Sequence, residues 1–110
     1  MVMYIPDRGD IVWLQFNPQS GHEQAGRRPA LTLSPKAYNQ KVGLALFCPI
    51  TNHEKGYPFE VKINERQVQG VILTDQVKSL DWKMRNAEFI AKAKPEIVSD
   101  VLALLNTLIN

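Results

Sequence analysis

Short apolar stretches separated by turn residues fill most of the chain, from Gly9 to about Ile90. These stretches are DIVWLQF, PALTLSP, VGLALFCPIT, YPFEVKI, GVILTDQV and AEFIAKA. In DIVWLQF, PALTLSP and YPFEVKI the side chains alternate between two faces, which is typical of half-buried β-strands. VGLALFCPIT is almost continuously apolar, which predicts a strand buried on both faces. Several short strands at this spacing predict a small β-barrel or sandwich.

The last segment, KPEIVSDVLALLNTLIN, has a different period. Its apolar residues recur at helical spacing, Pro95 suits the first helical position, and Glu96 suits the positive end of the helix dipole. The wide apolar arc allows two interpretations: the helix faces the core completely, or one face covers the open end of a barrel while the rest contacts a partner chain. We therefore expect a mainly β domain with a C-terminal α-helix, and 110 residues suit a single domain spanning 1–110.

The composition limits the cellular setting and the partners. Apolar residues make up 45% of the chain and charged residues 22%, as in ordinary globular proteins. No apolar run is long enough to span a bilayer, and MVMYIPDRGD lacks the apolar core of a signal peptide, so we expect a cytoplasmic protein without membrane contact. A formal net charge of +2 permits a polyanionic partner but does not require one.

The single cysteine, Cys48, excludes an intramolecular disulfide. Its apolar neighbours favour a buried structural side chain over a catalytic thiol, which would need an electropositive and partly exposed setting. Cys48, His22 and His53 also lack the spacing of metal ligands. We expect neither a metal nor another cofactor.

The loop GHEQAGRRP carries more ionisable chemistry than a turn requires. It places His22, Glu23, Arg27 and Arg28 between two predicted strands. Taken singly, these residues suit solvated ion pairs of little energetic weight. Taken together, they suit phosphoryl transfer, because an arginine fork matches phosphate oxygens and a glutamate or histidine can move a proton. No metal is needed when the nucleophile is the adjacent ribose 2′-hydroxyl of RNA.

Two further polar sites follow predicted strands. Thr51 ends VGLALFCPIT, and its hydroxyl either donates to a phosphate oxygen or bonds its own loop. In TDQVKSLDW, Asp75 and Gln76 are predicted to end a strand and Lys78 follows them. Glutamine can read base edges and lysine can contact phosphate, so this segment suits RNA binding.

Two aromatic side chains near these sites have alternative interpretations. Tyr57 and Trp82 either stack on an unpaired base or belong to the core.

Four segments together resemble one protein family: RGDIVWLQFNPQSGHEQAGRRPALTLSP, NQKVGLALFCPIT, KGYPFEV and GVILTDQVKSLDW. They cover nearly the whole chain, which resembles the MazF/PemK/Kid toxins of bacterial toxin–antitoxin systems and is most similar to the MazF branch. The resemblance implies an SH3-like β-barrel, similar to that of the CcdB toxins. It also implies a ribosome-independent and metal-independent endoribonuclease that cuts single-stranded RNA (mRNA) at short sequences, leaving 2′,3′-cyclic phosphate and 5′-hydroxyl ends.

The same resemblance implies a homodimer that a cognate MazE-like antitoxin inhibits, in a heterohexamer-type complex. The antitoxin of this family lays an extended, acidic C-terminal segment along the toxin dimer. Of the two other interpretations, a gyrase-binding toxin of the CcdB kind relies on an aromatic-terminated C-terminal helix, whereas this helix ends LLNTLIN. An RNA-binding module without chemistry would bind RNA in a salt-sensitive way and release no product.

Carried over by position, the key arginine of the family is Arg28 and the key threonine is Thr51, with Glu23 and His22 as the other catalytic candidates. Asp75 matches the base proposed in the Kid branch, but Leu73 stands where that branch has an arginine, so the MazF pairing of arginine and threonine fits better. We expect Arg28 to stabilise the phosphorane, Thr51 to hold a non-bridging oxygen, and Glu23 or His22 to accept the 2′-hydroxyl proton. The expected RNA-binding residues are Arg27, Asn39, Tyr57, Asp75, Gln76 and Lys78.

Overall fold

The computed structural model describes residues 3–16 and 26–110. In this part of the chain, seven strands and two α-helices follow one another, with one 3₁₀ turn at Thr74–Gln76. In chain order they are β1 (Asp10–Gln15), β2 (Arg27–Thr32), α1 (Lys36–Val42), β3 (Ala45–Thr51), β4 (Glu60–Asn64), β5 (Gln69–Leu73), β6 (Lys78–Leu80), β7 (Glu88–Lys92) and α2 (Pro95–Ile109).

All the strand pairs are antiparallel, and the order across the sheet is β4-β5-β3-β2-β1-β7, with β6 also paired to β3. Strand β3 changes partner along its length: Ala45 lies opposite Leu80 of β6, whereas Thr51 lies opposite Val71 of β5. This exchange of partners accompanies the curling of the sheet into an open half-barrel. Strand β3 therefore contacts β2, β5 and β6, and its end at Thr51 lies beside β5.

The alternation predicted for DIVWLQF separates two apolar clusters. Ile11 belongs to one cluster, which also receives side chains of α2, whereas Val12 and Leu14 belong to the other. Trp13 between them is 42% exposed. A sheet with apolar side chains on both faces must be covered on both sides, which is why α2 lies across one of them.

Helix α2 begins at Pro95, as the sequence predicts. Val101 is its one fully buried side chain, Ile97, Val98 and Leu105 pack against the first cluster, and the apolar residues Leu102, Leu108 and Ile109 remain exposed. The interpretation of a helix that faces the core completely is therefore wrong. Within residues 3–16 and 26–110, no helix combines the length and the apolar character that a bilayer crossing requires.

Helix α1 lies inside the region from Gly9 to about Ile90 in which the sequence predicts β-structure, and β6 begins after the predicted strand GVILTDQV ends at Val77. Helix α1 has only seven residues, too few for a clear hydrophobic period. It follows Pro35 and ends at Gly43, whose φ of +83° suits glycine. The N–H of Lys36 donates to Oδ1 of Asp7 at 2.8 Å, so the helix start is capped by a residue distant in sequence.

Candidate functional site

A cleft of about 830 Å³ opens beside the end of β3. Its walls come from β2, β3, the loop between β3 and β4 (residues 52–59, hereafter the β3–β4 loop), the 3₁₀ turn and the start of β6. The lining residues are Arg28, Thr51, Asn52, His53, Lys55, Tyr57, Glu60, Leu73, Asp75, Gln76, Val77 and Lys78. Polar segments that are far apart in the sequence therefore share one concave surface, as ligand sites do.

Strand β2 directs its two arginines to different places. Arg28, opposite Leu14 of β1, is half-buried in the cleft. Arg27 lies outside the cleft, forms an ion pair with Glu88 and donates to the carbonyl oxygen of Asn86 at 3.0 Å. Successive side chains of a strand point to opposite faces, so Arg27 does not share the surface on which RNA binding was predicted.

Thr51 is held at the end of β3 by a hydrogen bond from the following loop and by close contact with β5. The side chain is 6% exposed, and Oγ1 accepts the backbone N–H of His53 at 3.2 Å. A hydroxyl that accepts one hydrogen bond still has its own hydrogen to donate. On β5, a Cβ at Gly70 would lie 2.2 Å from the Thr51 carbonyl oxygen, and Gly70 has a φ of +141°. Only glycine lets β5 approach Thr51 this closely.

Tyr57 and Asp75 connect the β3–β4 loop to the 3₁₀ turn. The Tyr57 hydroxyl donates to Oδ2 of Asp75 at 2.9 Å. This hydrogen bond, together with the negative charge of Asp75, raises the pKa of Tyr57 above its ordinary value. The phenol therefore stays a donor, and its ring remains about half exposed at the cleft wall. Of the two interpretations of this side chain, the structure excludes the one that places it in the core.

The 3₁₀ turn that carries Asp75 and Gln76 replaces the strand end predicted there, because β5 stops at Leu73. Cys48 lies beneath this turn, with Sγ 3.8 Å from the carbonyl oxygen of Thr74. Burial, with a smaller contribution from the Asp75 charge, raises the pKa of the Cys48 thiol to about 12. The thiol is fully buried and protonated, so the expectation of a structural cysteine is confirmed.

The RNA-binding prediction for Asn39 is wrong. Asn39 is the completely buried residue of α1. Its Nδ2 donates to the carbonyl oxygens of Pro6 (2.8 Å) and Ser34 (3.0 Å), and Oδ1 accepts from Ser34 Oγ at 2.6 Å. These bonds hold α1 against the N-terminal segment. Trp82 is 6% exposed and donates to the backbone carbonyl of Asn39 at 3.0 Å, so it belongs to the core rather than to a base-stacking surface.

The predicted catalytic candidates His22 and Glu23 lie outside the described residues. The cleft also contains Asn52, His53, Lys55 and Glu60, which are not among the expected RNA-binding residues named above. The first three lie in PITNHEKG, a segment that the sequence favours as a selector of the RNA sequence. The signal was the polar run that directly follows Thr51 in the sequence. Among residues 3–16 and 26–110, no three side chains of the types His, Cys, Asp or Glu come together as metal ligands.

The chemistry of the cleft suits a phosphodiester with attached bases. Arg28 and Lys78 are cations that can bind phosphate oxygens, and Thr51 contributes a hydroxyl donor. Gln76 can hydrogen-bond a base edge, and the exposed ring of Tyr57 can stack on a base.

Comparisons with known proteins identify the family. A family model described as "PemK-like, MazF-like toxin of type II toxin-antitoxin system" matches residues 7–109. The chain is 47% identical over 106 residues to the endoribonuclease toxin MazF of Escherichia coli (strain K12), and the match covers 96% of each chain.

Solved structures of MazF from Deinococcus radiodurans have the same architecture. One crystal structure of MazF superposes with a TM-score of 0.93 at 51% identity, covering 97% of this chain and 98% of that one. A MazE–MazF structure superposes with a TM-score of 0.87 at 45% identity, covering 98% of both chains. The predicted fold class, mainly β with a C-terminal helix, is confirmed. The chain belongs to the family of PemK-like, MazF-like toxins of type II toxin–antitoxin systems.

Proposed function

We propose that the chain is a sequence-specific endoribonuclease toxin that cleaves single-stranded mRNA in the cytoplasm without ribosomes or metal ions. The observation that carries the proposal is the meeting of Arg28 and Thr51, from neighbouring strands, in one cleft with Gln76 and Lys78. The names of the relatives support it, since the Escherichia coli protein is named an endoribonuclease toxin.

The reaction is a transesterification that needs no second substrate. The 2′-hydroxyl oxygen of the RNA attacks the adjacent phosphorus, and the bond from phosphorus to the 5′-oxygen breaks. The 2′-hydroxyl loses a proton to a base, and the departing 5′-oxygen gains one. The products are a 2′,3′-cyclic phosphate and a 5′-hydroxyl, so atoms and electrons balance within the RNA and the proton-transfer groups.

Three roles are assigned within the site. Arginine keeps its charge in proteins, so Arg28 stabilises the negative charge that builds on the pentavalent phosphorus rather than accepting a proton. Thr51, whose oxygen already accepts the His53 N–H, donates its hydrogen to a non-bridging oxygen. Glu23 or His22 accepts the 2′-hydroxyl proton.

The general base is tested with single-turnover cleavage rates measured across pH. We expect Glu23→Gln or His22→Ala to slow cleavage by roughly 10²-fold or more, because general acid–base catalysis contributes about that much. His53→Ala is the matched variant, since His53 supplies the imidazole of the described cleft. Near-normal rates in both Glu23→Gln and His22→Ala would contradict the assignment, and a slow His53→Ala would transfer the role to His53.

We further propose that the toxin is a homodimer and that a MazE-like antitoxin neutralises it in a heterohexamer-type complex. The Deinococcus radiodurans relative has been solved together with MazE, which supports an antitoxin partner for this chain. The exposed apolar side chains of α2, Leu102, Leu108 and Ile109, support contact with a second protein surface.

The deciding experiment incubates the purified protein with a long single-stranded RNA in EDTA and maps the cut sites and the end groups. We expect discrete cuts at one short motif with cyclic-phosphate ends, and none with Arg28→Ala. Intact RNA under all conditions would contradict the proposal. The alternative, a gyrase-binding toxin of the same fold, would then be tested by inhibition of DNA supercoiling.

A further inference from the structure

One carboxylate at the cleft accepts hydrogen bonds from three backbone N–H groups of the β3–β4 loop. Glu60, the first residue of β4, accepts from Lys55 at 3.1 Å through Oε2, and from Gly56 at 3.0 Å and Tyr57 at 3.2 Å through Oε1. Residues 52–58 are all exposed, so apolar burial does not fix the shape of this loop. Hydrogen bonds to an ionised acceptor are among the stronger ones in proteins. The conformation of the loop therefore depends on Glu60.

The ends of the loop are also tied to the cleft. The N–H of His53 donates to Thr51 Oγ1, and the Tyr57 hydroxyl donates to Asp75. Between these two points Gly56 adopts a φ of +76°, which allows the sharp turn around the Glu60 carboxylate. Lys55 and Tyr57, which line the cleft, belong to the three residues whose amides Glu60 holds.

A negative charge is unfavourable in a cleft that receives a phosphodiester, unless it has another task. The task of Glu60 is to accept three backbone N–H groups of the loop. These hydrogen bonds also disperse the charge of the carboxylate, so it repels phosphate less. The same bonds hold the loop in a conformation that places Tyr57 and Lys55 in the cleft wall.

We propose that Glu60 is a positioning residue that sets the RNA sequence preference, by holding the β3–β4 loop in the conformation that presents Tyr57 and Lys55 to the nucleotides beside the cleaved bond. The proposal rests on the proposed ribonuclease function. Glu60 acts through the loop backbone and is not assigned to the reacting atoms.

Glu54 provides a matched control for the charge. It lies in the same loop but does not line the cleft; it pairs with Lys62 at 3.4 Å, and among the hydrogen bonds of the described residues it accepts none from a loop amide. Glu60→Gln and Glu54→Gln each remove one negative charge. Only at Glu60 is the oxygen that becomes an NH₂ group an acceptor of backbone N–H groups of the loop.

The first measurement is amide hydrogen exchange at Lys55, Gly56 and Tyr57. We expect exchange to become roughly tenfold faster or more in Glu60→Gln, because hydrogen bonds to a charged group are lost, and to stay unchanged in Glu54→Gln. The thermal midpoint should remain near that of the wild type, since the loop is exposed. Glu60→Asp keeps both acceptor oxygens with a shorter reach and should recover part of the protection.

The second measurement compares the cleavage rate of the preferred RNA sequence with that of single-base variants. We expect the preference to fall roughly tenfold in Glu60→Gln, mainly through KM, while Glu54→Gln keeps the wild-type preference. Wild-type protection in Glu60→Gln, or lost protection with an unchanged preference, would overturn the proposal.

The two proposals fail in different ways. If the wild type cuts no RNA, the ribonuclease proposal fails. The part played by Glu60 is then judged by amide exchange and by the sequence preference in binding of 2′-O-methyl RNA, which is uncleavable. Equal binding preferences in the wild type and Glu60→Gln would overturn it there as well.

Discussion

Arg27 and Arg28 are adjacent on β2, and their side chains lie in different surroundings. Arg28 lines the cleft, whereas Arg27 pairs with Glu88 outside it. The ion pair of Arg27 with the exposed Glu88 contributes about 0–1 kcal/mol to stability, so Arg27 is not required for folding. The pair therefore offers two substitutions of the same chemistry, one within the proposed catalytic site and one outside it.

We expect Arg28→Ala to reduce the cleavage rate by roughly 10²–10³-fold, the usual effect of removing a donor that stabilises transition-state charge. Arg27→Ala should keep a rate within a few-fold of the wild type. Single-turnover kinetics on one oligonucleotide, with thermal unfolding of each variant, measure both effects. Equal losses of cleavage rate in the two variants would show that the position of Arg28 in the cleft does not matter for catalysis.

Among the site residues, the sequence was informative where a short motif carried the chemistry. The resemblance of GRRP and PIT to motifs of the family predicts Arg28 and Thr51 as site residues, and the structure brings both to one cleft. Asn39 was misjudged because a polar residue in a polar segment resembles a surface residue. Its burial depends on Pro6 and Ser34, and no local pattern records those contacts.

At the scale of elements, the close approach of β5 to the end of β3 requires Gly70. A methyl group there would meet the Thr51 carbonyl oxygen at 2.2 Å, and the φ of +141° disfavours any other residue. Gly43, at the end of α1, also has a positive φ of +83°, but nothing lies within 4 Å of its Cβ position. Substitution of Gly43 therefore tests backbone strain alone, whereas substitution of Gly70 tests strain together with a steric clash.

We expect Gly70→Ala to destabilise the protein by about 3 kcal/mol or more, because strain and a backbone clash add, and to lower cleavage by moving Thr51. Gly43→Ala should cost about 1 kcal/mol and leave cleavage unchanged. Denaturant unfolding and cleavage rates of both variants provide the comparison. A Gly70→Ala protein as stable and active as the wild type would refute the close approach.

The start of α1 predicts a dependence of stability on pH. The backbone N–H groups of Lys36 and Arg8 both donate to Oδ1 of Asp7 at 2.8 Å, and they lower the pKa of this carboxyl below its ordinary value of 3.8. A folded-state pKa below the unfolded one stabilises the protein above the unfolded pKa, and the stabilisation is lost as pH falls through the folded pKa.

We expect Asp7→Asn to lower the thermal midpoint by about 2 °C near pH 6, since a charge at a helix start contributes about 0.3–1 kcal/mol. The difference from the wild type should shrink below pH 4 and vanish once Asp7 is protonated. Thermal unfolding between pH 2.5 and 7 measures it, with Asp100→Asn on an exposed turn of α2 as control. An equal deficit at both ends of this range would contradict the prediction.

At the scale of the whole molecule, the charge balance predicts how RNA is attracted. The formal net charge is only +2, so long-range attraction is weak. Within the described part of the chain, the lysine and arginine side chains that line the cleft are Arg28, Lys55 and Lys78. Binding should therefore depend on these few cations rather than on an extended basic surface.

Contact of three cations with single-stranded phosphates gives an expected slope of about −2 for the logarithm of the association constant against the logarithm of salt concentration. Lys78→Ala should make the slope shallower by about 0.7. Titrations of uncleavable 2′-O-methyl RNA between 50 and 300 mM salt, a range over which the effect is large, measure both values. A slope steeper than about −5 would indicate a much larger basic surface than the cleft.

Local periodicity and short motifs determined much of this protein from the sequence alone. The alternating strands, the continuously apolar β3 and the C-terminal helix were read correctly, because their burial patterns repeat within a few residues. Seven residues of α1 and three of β6 were too short to leave such a pattern. Which residues meet was decided only by the tertiary structure, since pairing β3 with β2, β5 and β6 brings Arg28, Thr51 and Lys78 together across 50 positions of sequence.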